Sequence, residues 1–300
     1  MTDDWKKSIP FNVRLRVFIR DWYIKNVYNN YQVFRRKNGW ADSDLFRHIL
    51  IQTNYRCTRR CSFCHYGLDT PPKNVDMDDG LFYKIINQLS ELRYSGRIGL
   101  MEMNEPLTDK RLPQFLRYAR KQVPRAWFFI TTNGDLLSER KAKSLFDDGL
   151  DYIYLNSYDQ KALNLHLTLI NNIDPKYRSK IYHIDRTYQT WWSSRGGNLK
   201  QFYKKAVKAP CDMVYLVMYV KPTGKVYACY NDYYDVNEMG DLNKQNLLDA
   251  WFSKSFMDLR KELNRSNRDY SPLCAQCDYI GYHSLPRIPL SRRIRWFPHR

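Results

Sequence analysis

The residues with the clearest chemical potential in this 300-residue sequence are its seven cysteines, which form two groups. The first group is Cys57, Cys61 and Cys64, and the second is Cys211, Cys229, Cys274 and Cys277. In a reducing cytoplasm, clustered cysteines indicate metal binding more than structural disulfides. Three thiolates on one loop can hold three irons of a [4Fe–4S] cluster and leave the fourth iron open, whereas four thiolates occupy every iron.

Zinc is the competing interpretation of both groups. His65 directly follows Cys64 and could complete a zinc site with the three cysteines before it. The second group consists of two single cysteines and a CxxC pair, which is also a pattern of Cys₄ zinc sites. The spacing of the cysteines therefore leaves iron–sulfur and zinc sites both open.

Strands and helices alternate through the first two thirds of the chain, and the first cysteine group directly follows the first strand. Strands are predicted over 48–54, 97–103, 126–132, 151–157 and 180–186, and helices over 79–95, 110–122, 138–148 and 159–171. This alternation favours right-handed βαβ crossovers and hence a parallel sheet or barrel. Ligands bind at the carboxyl ends of the strands in such folds, which is where the first group lies.

Beyond residue 200 the pattern changes to that of a small α+β unit. Two strands, 213–220 and 225–230, are joined by Lys221-Pro222-Thr223-Gly224, whose Pro and Gly suit a hairpin turn. A helix is predicted over 246–262, and the Cys274/Cys277 loop follows it. The second cysteine group is thus spread over a hairpin and a later loop.

The first cysteine group and three later segments together resemble the radical S-adenosylmethionine (SAM) family. Cys57-Thr-Arg-Arg-Cys61-Ser-Phe63-Cys64 is similar to the family's CxxxCxxC signature, including an aromatic residue before the last cysteine. Met103-Asn104-Glu105-Pro106 ends the second strand, where the family has a Gly-Gly-Glu-Pro-like turn. Thr131-Thr132-Asn133-Gly134 and Asn156-Ser157 end the third and fourth strands.

The resemblance implies a partial parallel (βα)₆ barrel in which the three-cysteine [4Fe–4S] cluster binds SAM. It places Phe63 against the adenine and the turn of Asn104 and Glu105 at the methionyl amino group. It makes Thr132, Asn133 and Ser157 polar contacts to the SAM carboxylate and ribose. Asn104 departs from the glycine that is usual in the family, so the geometry of that turn is a point to test.

The second cysteine group resembles the SPASM domain in its single-cluster form, called a twitch domain. Met239-Gly-Asp-Leu242 and Leu247-Leu-Asp-Ala-Trp251 lie between its cysteines, and Ser194-Arg-Gly-Gly-Asn-Leu199 resembles the segment that precedes such domains. The predicted organisation is a basic N-terminal arm over 1–45, the barrel over 46–200, the auxiliary [4Fe–4S] domain over 201–283 and a basic C-terminal tail over 284–300.

The family resemblance implies an iron–sulfur oxidoreductase. A 5′-deoxyadenosyl radical derived from SAM would abstract hydrogen from a substrate, and the auxiliary cluster could take the second electron of a dehydrogenation. The expected substrate is a small polar molecule such as a sugar or cyclitol alcohol, because residues 1–45 are too short for a peptide-recognition domain. Asp185, Arg186 and Arg195 are candidate catalytic residues, although rim salt bridges are the commoner role of such residues. A reductase or flavodoxin-type protein is the expected electron donor.

Two alternatives remain at this stage. One is a radical SAM maturase that modifies a peptide or protein, and the other is a zinc-stabilised, basic RNA-binding protein. The formal charge of +18 suggests the latter, but much of it lies at the ends of the chain. Residues 1–40 hold nine Lys/Arg against three Asp, and residues 284–300 hold five Arg and no acid. Because such tails are commonly solvated, nucleic-acid binding is not expected.

The sequence predicts a cytoplasmic protein without a membrane span. Residues 1–10 are polar and do not resemble a signal peptide. The most apolar segments, such as 215–220, are far shorter than the roughly 20 residues that a membrane helix needs.

Overall fold

The structure is a computed structural model, and it describes residues 44–71, 75–189 and 192–279. The predicted C-terminal tail and almost all of the predicted N-terminal arm lie outside these residues. Eight strands form one sheet in the order β5-β4-β3-β2-β1-β6-β7-β8. The strands are β1 His48–Ile51, β2 Arg97–Gly99, β3 Trp127–Thr132, β4 Tyr152–Ser157, β5 Ile181–Asp185, β6 Val217–Val220, β7 Lys225–Tyr227 and β8 Glu238–Asp241.

The six strands from β5 to β6 are parallel, which confirms the predicted α/β partial barrel. Neighbouring strands pair in register, for example Ile49 with Ile98 on β2 and with Met218 on β6. Ile49, Ile98 and Met218 are fully buried, as expected for strands that are covered by helices. The carboxyl ends of these strands therefore converge at one edge of the sheet.

The helices of the first half follow their strands as predicted. The helix α2, Asp79–Glu91, begins behind Asp78, whose carboxylate accepts a hydrogen bond from the Leu81 amide at 3.1 Å. Its apolar face is buried, and Phe82 stacks on Phe115 of the next helix, α3, Leu112–Gln122, with ring centroids 4.0 Å apart. The helices are α1 His65–Leu68, α2 Asp79–Glu91, α3 Leu112–Gln122, α4 Glu139–Asp147, α5 Gln160–Asn172, α6 Pro175–Arg178, α7 Met213–Leu216, α8 Leu247–Trp251, α9 Lys254–Asn264 and α10 Pro272–Ala275.

The strand predicted over 213–220 differs from the observed structure. Its first half is the short helix α7, and only β6 is extended. β6 pairs in parallel with β1 and antiparallel with β7, so it is both the sixth strand of the barrel and the first strand of the predicted hairpin. A continuous apolar run does not distinguish a helical turn from a strand, which explains the error. The sheet therefore continues across the predicted domain boundary at residue 200.

The helix predicted over 246–262 is two helices. α8 ends at Trp251, and α9 begins behind Ser253, whose hydroxyl accepts a hydrogen bond from the Phe256 amide at 3.2 Å. Trp251 and Phe256 pack edge to face with ring centroids 4.8 Å apart, so the break keeps both aromatic rings in one core. Among the described residues, no helix is both long enough and apolar enough to cross a membrane.

Candidate active site

The first cysteine group lies on a tight loop between β1 and α1. The Cys64 amide donates to the Cys61 carbonyl at 3.0 Å, and the Gly67 amide donates to the Cys64 carbonyl at 2.9 Å. A Cβ atom at Gly67 would lie 2.1 Å from the carbonyl oxygen of Cys61, so only glycine allows α1 to pack this closely on the loop. The loop is therefore shaped by its own backbone hydrogen bonds.

The three thiols of this loop are partly buried and close enough to interact electrostatically. Burial and, to a smaller extent, the neighbouring thiols of Cys64 and Cys57 raise the pKa of Cys61 to about 11. The Arg59 amide donates to Cys57 Sγ at 3.5 Å. Three neighbouring thiolates would repel one another, so these thiols are costly to ionise unless a metal group neutralises the charge. This fits a cluster held by Cys57, Cys61 and Cys64.

The exposed side of the loop is fixed by ion pairs to later strand ends. Arg59 makes a bidentate salt bridge with Asp135, and its Nη1 lies 2.7 Å from Asp159 Oδ2. Thr58 Oγ1 donates to the same Asp135 at 2.8 Å. These carboxylates raise the pKa of Arg59, so the guanidinium stays charged. The cysteine loop is thereby tied to the turn after β3 and to the start of α5.

Glu105 joins the second and third strand ends. Its Oε1 accepts from Thr132 Oγ1 at 2.7 Å and from the Leu107 amide at 3.1 Å, and its Oε2 accepts from the Asn133 amide at 2.8 Å. The side chain is 2% exposed, and burial raises its pKa. Glu105 thus orders the turn that contains two of the predicted SAM contacts, and its own contact with the amino group stays a prediction.

The other residues predicted from the strand-end motifs lie at the same edge. Asn133 Nδ2 donates to Thr58 Oγ1 at 3.0 Å and lies 3.8 Å from Cys57 Sγ, which places Asn133 beside the cluster loop. Asn104 Oδ1 accepts from the Glu102 amide at 3.1 Å, so the asparagine closes its own turn. The structure brings Asn104, Glu105, Thr132 and Asn133 together around the first cysteine group.

Ser157 is fully buried between two histidines. Its hydroxyl lies 2.8 Å from His166 Nδ1 and 2.8 Å from His183 Nε2. A hydroxyl has one proton and two lone pairs, so it can donate to at most one of the two rings and accepts from the other. The Ser157 hydroxyl is therefore engaged within the chain, and a contact from Ser157 to SAM stays a prediction.

Phe63 lies in an aromatic stack at the mouth of the barrel. Its ring stacks on Trp192 with centroids 3.5 Å apart and lies 5.1 Å from the ring of Tyr158. Arg186 approaches the Trp192 ring at 6.0 Å and donates from Nε to Asn156 Oδ1 at 2.7 Å. The face that the family resemblance assigns to adenine is covered by Trp192 in this structure, so SAM binding at Phe63 would displace that indole.

The second cysteine group gathers four thiols from distant segments. Burial raises the pKa of Cys211 to about 12 and that of Cys274 to about 11. Burial raises the pKa of the Cys229 thiol, and Cys211, Cys277 and Cys274 raise it further, so the four thiols lie near one another. Backbone amides donate to sulfur, from Asn231 to Cys229 at 3.4 Å and from Tyr279 to Cys277 at 3.4 Å. These donors fit a four-cysteine cluster, because hydrogen bonds to the sulfurs are a usual feature of iron–sulfur sites.

The two cysteine groups are connected by the segment Ser194–Asn198. Arg195 Nε donates to the Phe63 carbonyl at 3.3 Å, and its guanidinium lies 5.8 Å from the ring of Tyr230, the residue after Cys229. Asn198 Nδ2 lies 3.0 Å from His65 Nε2 and donates to the Asn231 carbonyl at 3.2 Å. Each side chain thus touches both cysteine loops.

The three candidate catalytic residues occupy different environments. Asp185 Oδ1 accepts from the amide and hydroxyl of Thr187 at 2.9 and 2.7 Å, which makes its carboxylate a turn cap at the rim. Arg186 is held by Asn156 and Gln189. Arg195 lies near both groups: burial raises the pKa values of Cys64, Glu102 and Tyr230, and the charge of Arg195 offsets part of each rise.

Glu102, beside the turn of Asn104 and Glu105, is a titratable residue that the sequence did not single out. It follows β2 and is half-buried, and desolvation raises its pKa to about 8 despite the nearby cations Lys221 and Arg195. Its position inside a predicted strand gave no signal, because an acidic residue at a strand end is ordinarily solvated. The neighbouring Met103-Asn104-Glu105-Pro106 motif was the available clue.

Among the described residues, no three His, Cys, Asp or Glu side chains are arranged as ligands of a single metal ion. A cavity of about 560 Å³ opens beside Arg59, Asp135, Asp159 and His166. It borders the outer side of the cluster loop, and the predicted SAM contacts do not line it.

A parallel partial barrel with three cysteines at its first strand end and four cysteines beyond its sixth strand defines an iron–sulfur enzyme architecture. The profile of the Radical SAM superfamily matches residues 51–166, and that of the SPASM iron–sulfur cluster-binding domain matches residues 211–278. The chain is a member of the radical SAM superfamily with a C-terminal SPASM-type domain. All seven cysteines lie within the matched ranges, which favours iron–sulfur clusters over the zinc alternative.

Individual proteins resemble the chain over most of its length. The S-adenosyl-L-methionine-dependent 2-deoxy-scyllo-inosamine dehydrogenase of Niallia circulans is 28% identical over 239 residues, which are 79% of this chain and 94% of the dehydrogenase. The crystal structure of BtrN in complex with AdoMet and 2-DOIA superposes with a TM-score of 0.71 at 26% identity, covering 79% of this chain and 94% of BtrN. The structure of anSMEcpe with bound AdoMet, at 14% identity and a TM-score of 0.51, shares the fold.

The chain is therefore a radical SAM iron–sulfur oxidoreductase. Its cofactors are SAM, a [4Fe–4S] cluster that binds SAM, and an auxiliary iron–sulfur cluster of the SPASM type. The family and the cofactors confirm the sequence-based interpretation, whereas the individual ligands and contacts remain predictions.

Proposed function

We propose that this enzyme dehydrogenates a hydroxyl group of a small polyhydroxylated ring, a cyclitol, aminocyclitol or sugar. The observation that carries the proposal is the similarity to the 2-deoxy-scyllo-inosamine dehydrogenase, which extends over 94% of that protein. The matched stretch of 239 residues is longer than the predicted barrel over 46–200, so the similarity is not confined to the barrel.

The residues for the cofactors are the two cysteine groups. Cys57, Cys61 and Cys64 would hold the cluster that binds SAM, and Cys211, Cys229, Cys274 and Cys277 would hold the auxiliary [4Fe–4S] cluster. When bound, SAM and the first cluster supply a 5′-deoxyadenosyl radical for hydrogen abstraction, and the second cluster can accept an electron.

The chain's own residues orient the reacting groups and exclude water. The turn ordered by Glu105 would present Thr132 and Asn133 toward SAM. The stack of Phe63, Trp192 and Tyr158 closes the barrel mouth with aromatic surface, which limits quenching of reactive species by solvent. Arg195 lies between the two cysteine groups, where its positive charge would attract electron density that develops on a substrate oxygen.

The electron donor is proposed to be an acidic reductase such as a flavodoxin. Arg60 is exposed on the cluster loop and donates from Nη1 to the Cys57 carbonyl at 3.1 Å. A cation beside the first cluster would attract an acidic partner to the point where the electron must enter. Arg60→Glu should therefore slow reduction by flavodoxin, and leave reduction by dithionite unchanged.

The proposal is tested with the anaerobically reconstituted full-length protein. A panel of cyclitols, aminocyclitols and sugars is screened for substrate-dependent 5′-deoxyadenosine together with a ketone product. We expect 5′-deoxyadenosine and ketone in equal amounts with at least one ring alcohol. Formation of 5′-deoxyadenosine only with a peptide would instead establish the alternative of a peptide-modifying maturase.

A further inference from the structure

Arg268 is a buried cation beside the first cysteine of the second group. It lies between α9 and α10 and is 2% exposed. Its Nε donates to the Ala209 carbonyl at 2.7 Å, and its Nη2 donates to the Pro210 carbonyl at 3.3 Å. Because the Pro210 carbonyl belongs to the peptide bond with Cys211, the guanidinium lies directly at the backbone that carries this thiol.

The same guanidinium reaches the last cysteine of the group. Its Nη1 donates to the Tyr279 carbonyl at 2.9 Å. The Cys277 thiol lies 3.9 Å from that same carbonyl oxygen, so Arg268 and Cys277 share one neighbouring atom. Burial raises the pKa values of Cys211 and Cys277, and the charge of Arg268 offsets part of each rise. Hydrogen bonds thus place Arg268 between the two ends of the second cysteine group.

Two other arginines in the described structure are buried, and both have aromatic partners for their charge. The Cζ atom of Arg97 lies 4.4 Å from the ring centroid of Phe129, and that of Arg260 lies 4.0 Å from the ring centroid of Trp251. Among the described residues, Arg268 lies over no aromatic ring and makes no salt bridge, and its donors bond to neutral carbonyls. Its positive charge therefore lacks a counter-charge from those side chains.

The carboxylates that are close to these residues in the chain are used elsewhere. Asp269 pairs with Lys208 at the surface, with 2.7 Å between Oδ2 and Nζ. Asp278 accepts a hydrogen bond from the Ser194 hydroxyl. A buried charge without a counter-charge is strongly unfavourable in a protein interior. The thiols of the second group, once ionised by a bound metal group, would supply the negative charge that Arg268 needs.

We propose that Arg268 is the counter-charge of the auxiliary cluster and raises its reduction potential. The role of this cluster as electron acceptor rests on the proposed dehydrogenase function. In that reaction the substrate radical gives up one electron to the cluster and its O–H proton to water as the C=O bond forms. A [4Fe–4S] core with four thiolates is an anion, and one added electron makes it more negative. Arg268 stabilises the reduced form more than the oxidised form, because charges interact strongly where water is excluded.

Two substitutions separate the charge of Arg268 from its hydrogen bonds. If Arg268 only clamped the loop ends, its three bonds to carbonyls would matter and its charge would not. Arg268→Gln removes the charge and the planar fork together. Arg268→Lys keeps the charge but loses the fork that reaches three carbonyls at once. A charge effect therefore predicts that lysine replaces arginine and glutamine does not.

The test is a redox titration of the reconstituted full-length holoenzyme without substrate, followed by electron paramagnetic resonance. SAM is added because it perturbs the signal of the first cluster, which identifies the signal of the auxiliary cluster. We expect Arg268→Gln to favour the oxidised auxiliary cluster about tenfold at a given potential, a shift of about 59 mV to lower potential for one electron. Arg268→Lys should stay near the wild-type potential. Arg265→Gln is the matched control, because the Arg265 side chain is 65% exposed, and it should leave the potential unchanged.

Each result decides the inference. If Arg268→Gln assembles the cluster at the wild-type potential or above, or if both Arg268 variants lower the potential equally, the charge of Arg268 does not set the potential and the inference is wrong. If iron analysis shows that Arg268→Gln assembles no second cluster, Arg268→Lys decides. Assembly at a near-wild-type potential means that the charge is required, and any other result overturns the inference. The titration uses no substrate, so the proposed function fails separately, if the wild type oxidises no ring alcohol.

Discussion

The two cysteine groups are built in opposite ways. The first lies on eight consecutive residues whose conformation is set by hydrogen bonds within the loop and by the pairing of Arg59 with Asp135 and Asp159. The second joins the entrance of α7, the end of β7 and the loop at α10, which are far apart in the chain. The first group is a binding loop on a finished barrel, whereas the second holds separate segments together. The two clusters should therefore differ in what their loss does to the fold.

The largest expected effect is on catalysis, and it comes from the first group. Replacing Cys57, Cys61 and Cys64 with Ala should abolish SAM cleavage and leave the second cluster, with about four of eight irons. Because the barrel packs without these thiols, the circular dichroism spectrum should be unchanged. Iron and sulfide analysis, 5′-deoxyadenosine formation and thermal unfolding test this. Loss of all iron, or unfolding of the barrel, would show that the first group is not an independent loop.

Replacing ligands of the second group should change stability as well as chemistry. Cys274→Ala should lower the thermal midpoint of the reconstituted protein far more than Cys61→Ala, because binding energy at a site that joins distant segments is also folding energy. If the variant is folded, it should form 5′-deoxyadenosine but little ketone, since no electron acceptor remains. Equal midpoints for the two variants would contradict the difference between the groups. Full ketone yield would leave the second cluster with a structural role only.

An effect of intermediate size is expected at Glu105, which belongs to the first region. Glu105→Ala removes the acceptor of the Leu107 and Asn133 amides and of the Thr132 hydroxyl, so the turn that we propose to contact SAM loses its order. We expect a tenfold to hundredfold weaker SAM affinity, from the loss of about 1.5–3 kcal/mol of charge-assisted hydrogen bonding. Equilibrium dialysis with the reconstituted protein measures this, and both clusters should still assemble. Unchanged affinity would place Glu105 outside the SAM site.

The sequence predicted the first region better than the second for a physical reason. Parallel strands covered by helices are continuous apolar runs, so β1 to β5 were predicted within a few residues of their observed bounds. The polar motifs directly follow these runs, so their positions at the strand ends could be predicted as well. β6 was assigned to the hairpin alone because its pairing with β1 depends on contacts across more than 160 residues. Glu102 and the links made by Arg195 and Asn198 also depend on the folded arrangement, since each acts between segments that the sequence does not bring together.

The smallest effect is predicted at Asn198, the direct link between the two regions. Its amide bonds to His65 at the first group and to the Asn231 carbonyl at the second. Asn198→Ala removes both bonds and leaves buried partners unsatisfied, which should cost about 1–3 kcal/mol. Asn164→Ala, on the exposed face of α5, is the matched control and should be neutral.

This variant tests whether the two regions unfold as one unit. If the contact couples them, Asn198→Ala should lower the thermal midpoint of the wild-type holoenzyme, and it should have a smaller effect in the Cys274→Ala background, where the second region is already loosened. The difference between the two effects is the coupling energy of a double-mutant cycle. Equal effects in both backgrounds would mean that Asn198 stabilises its own loop and does not couple the stability of one cysteine group to that of the other. The link would then have to be made by Arg195, whose guanidinium contacts the same two loops.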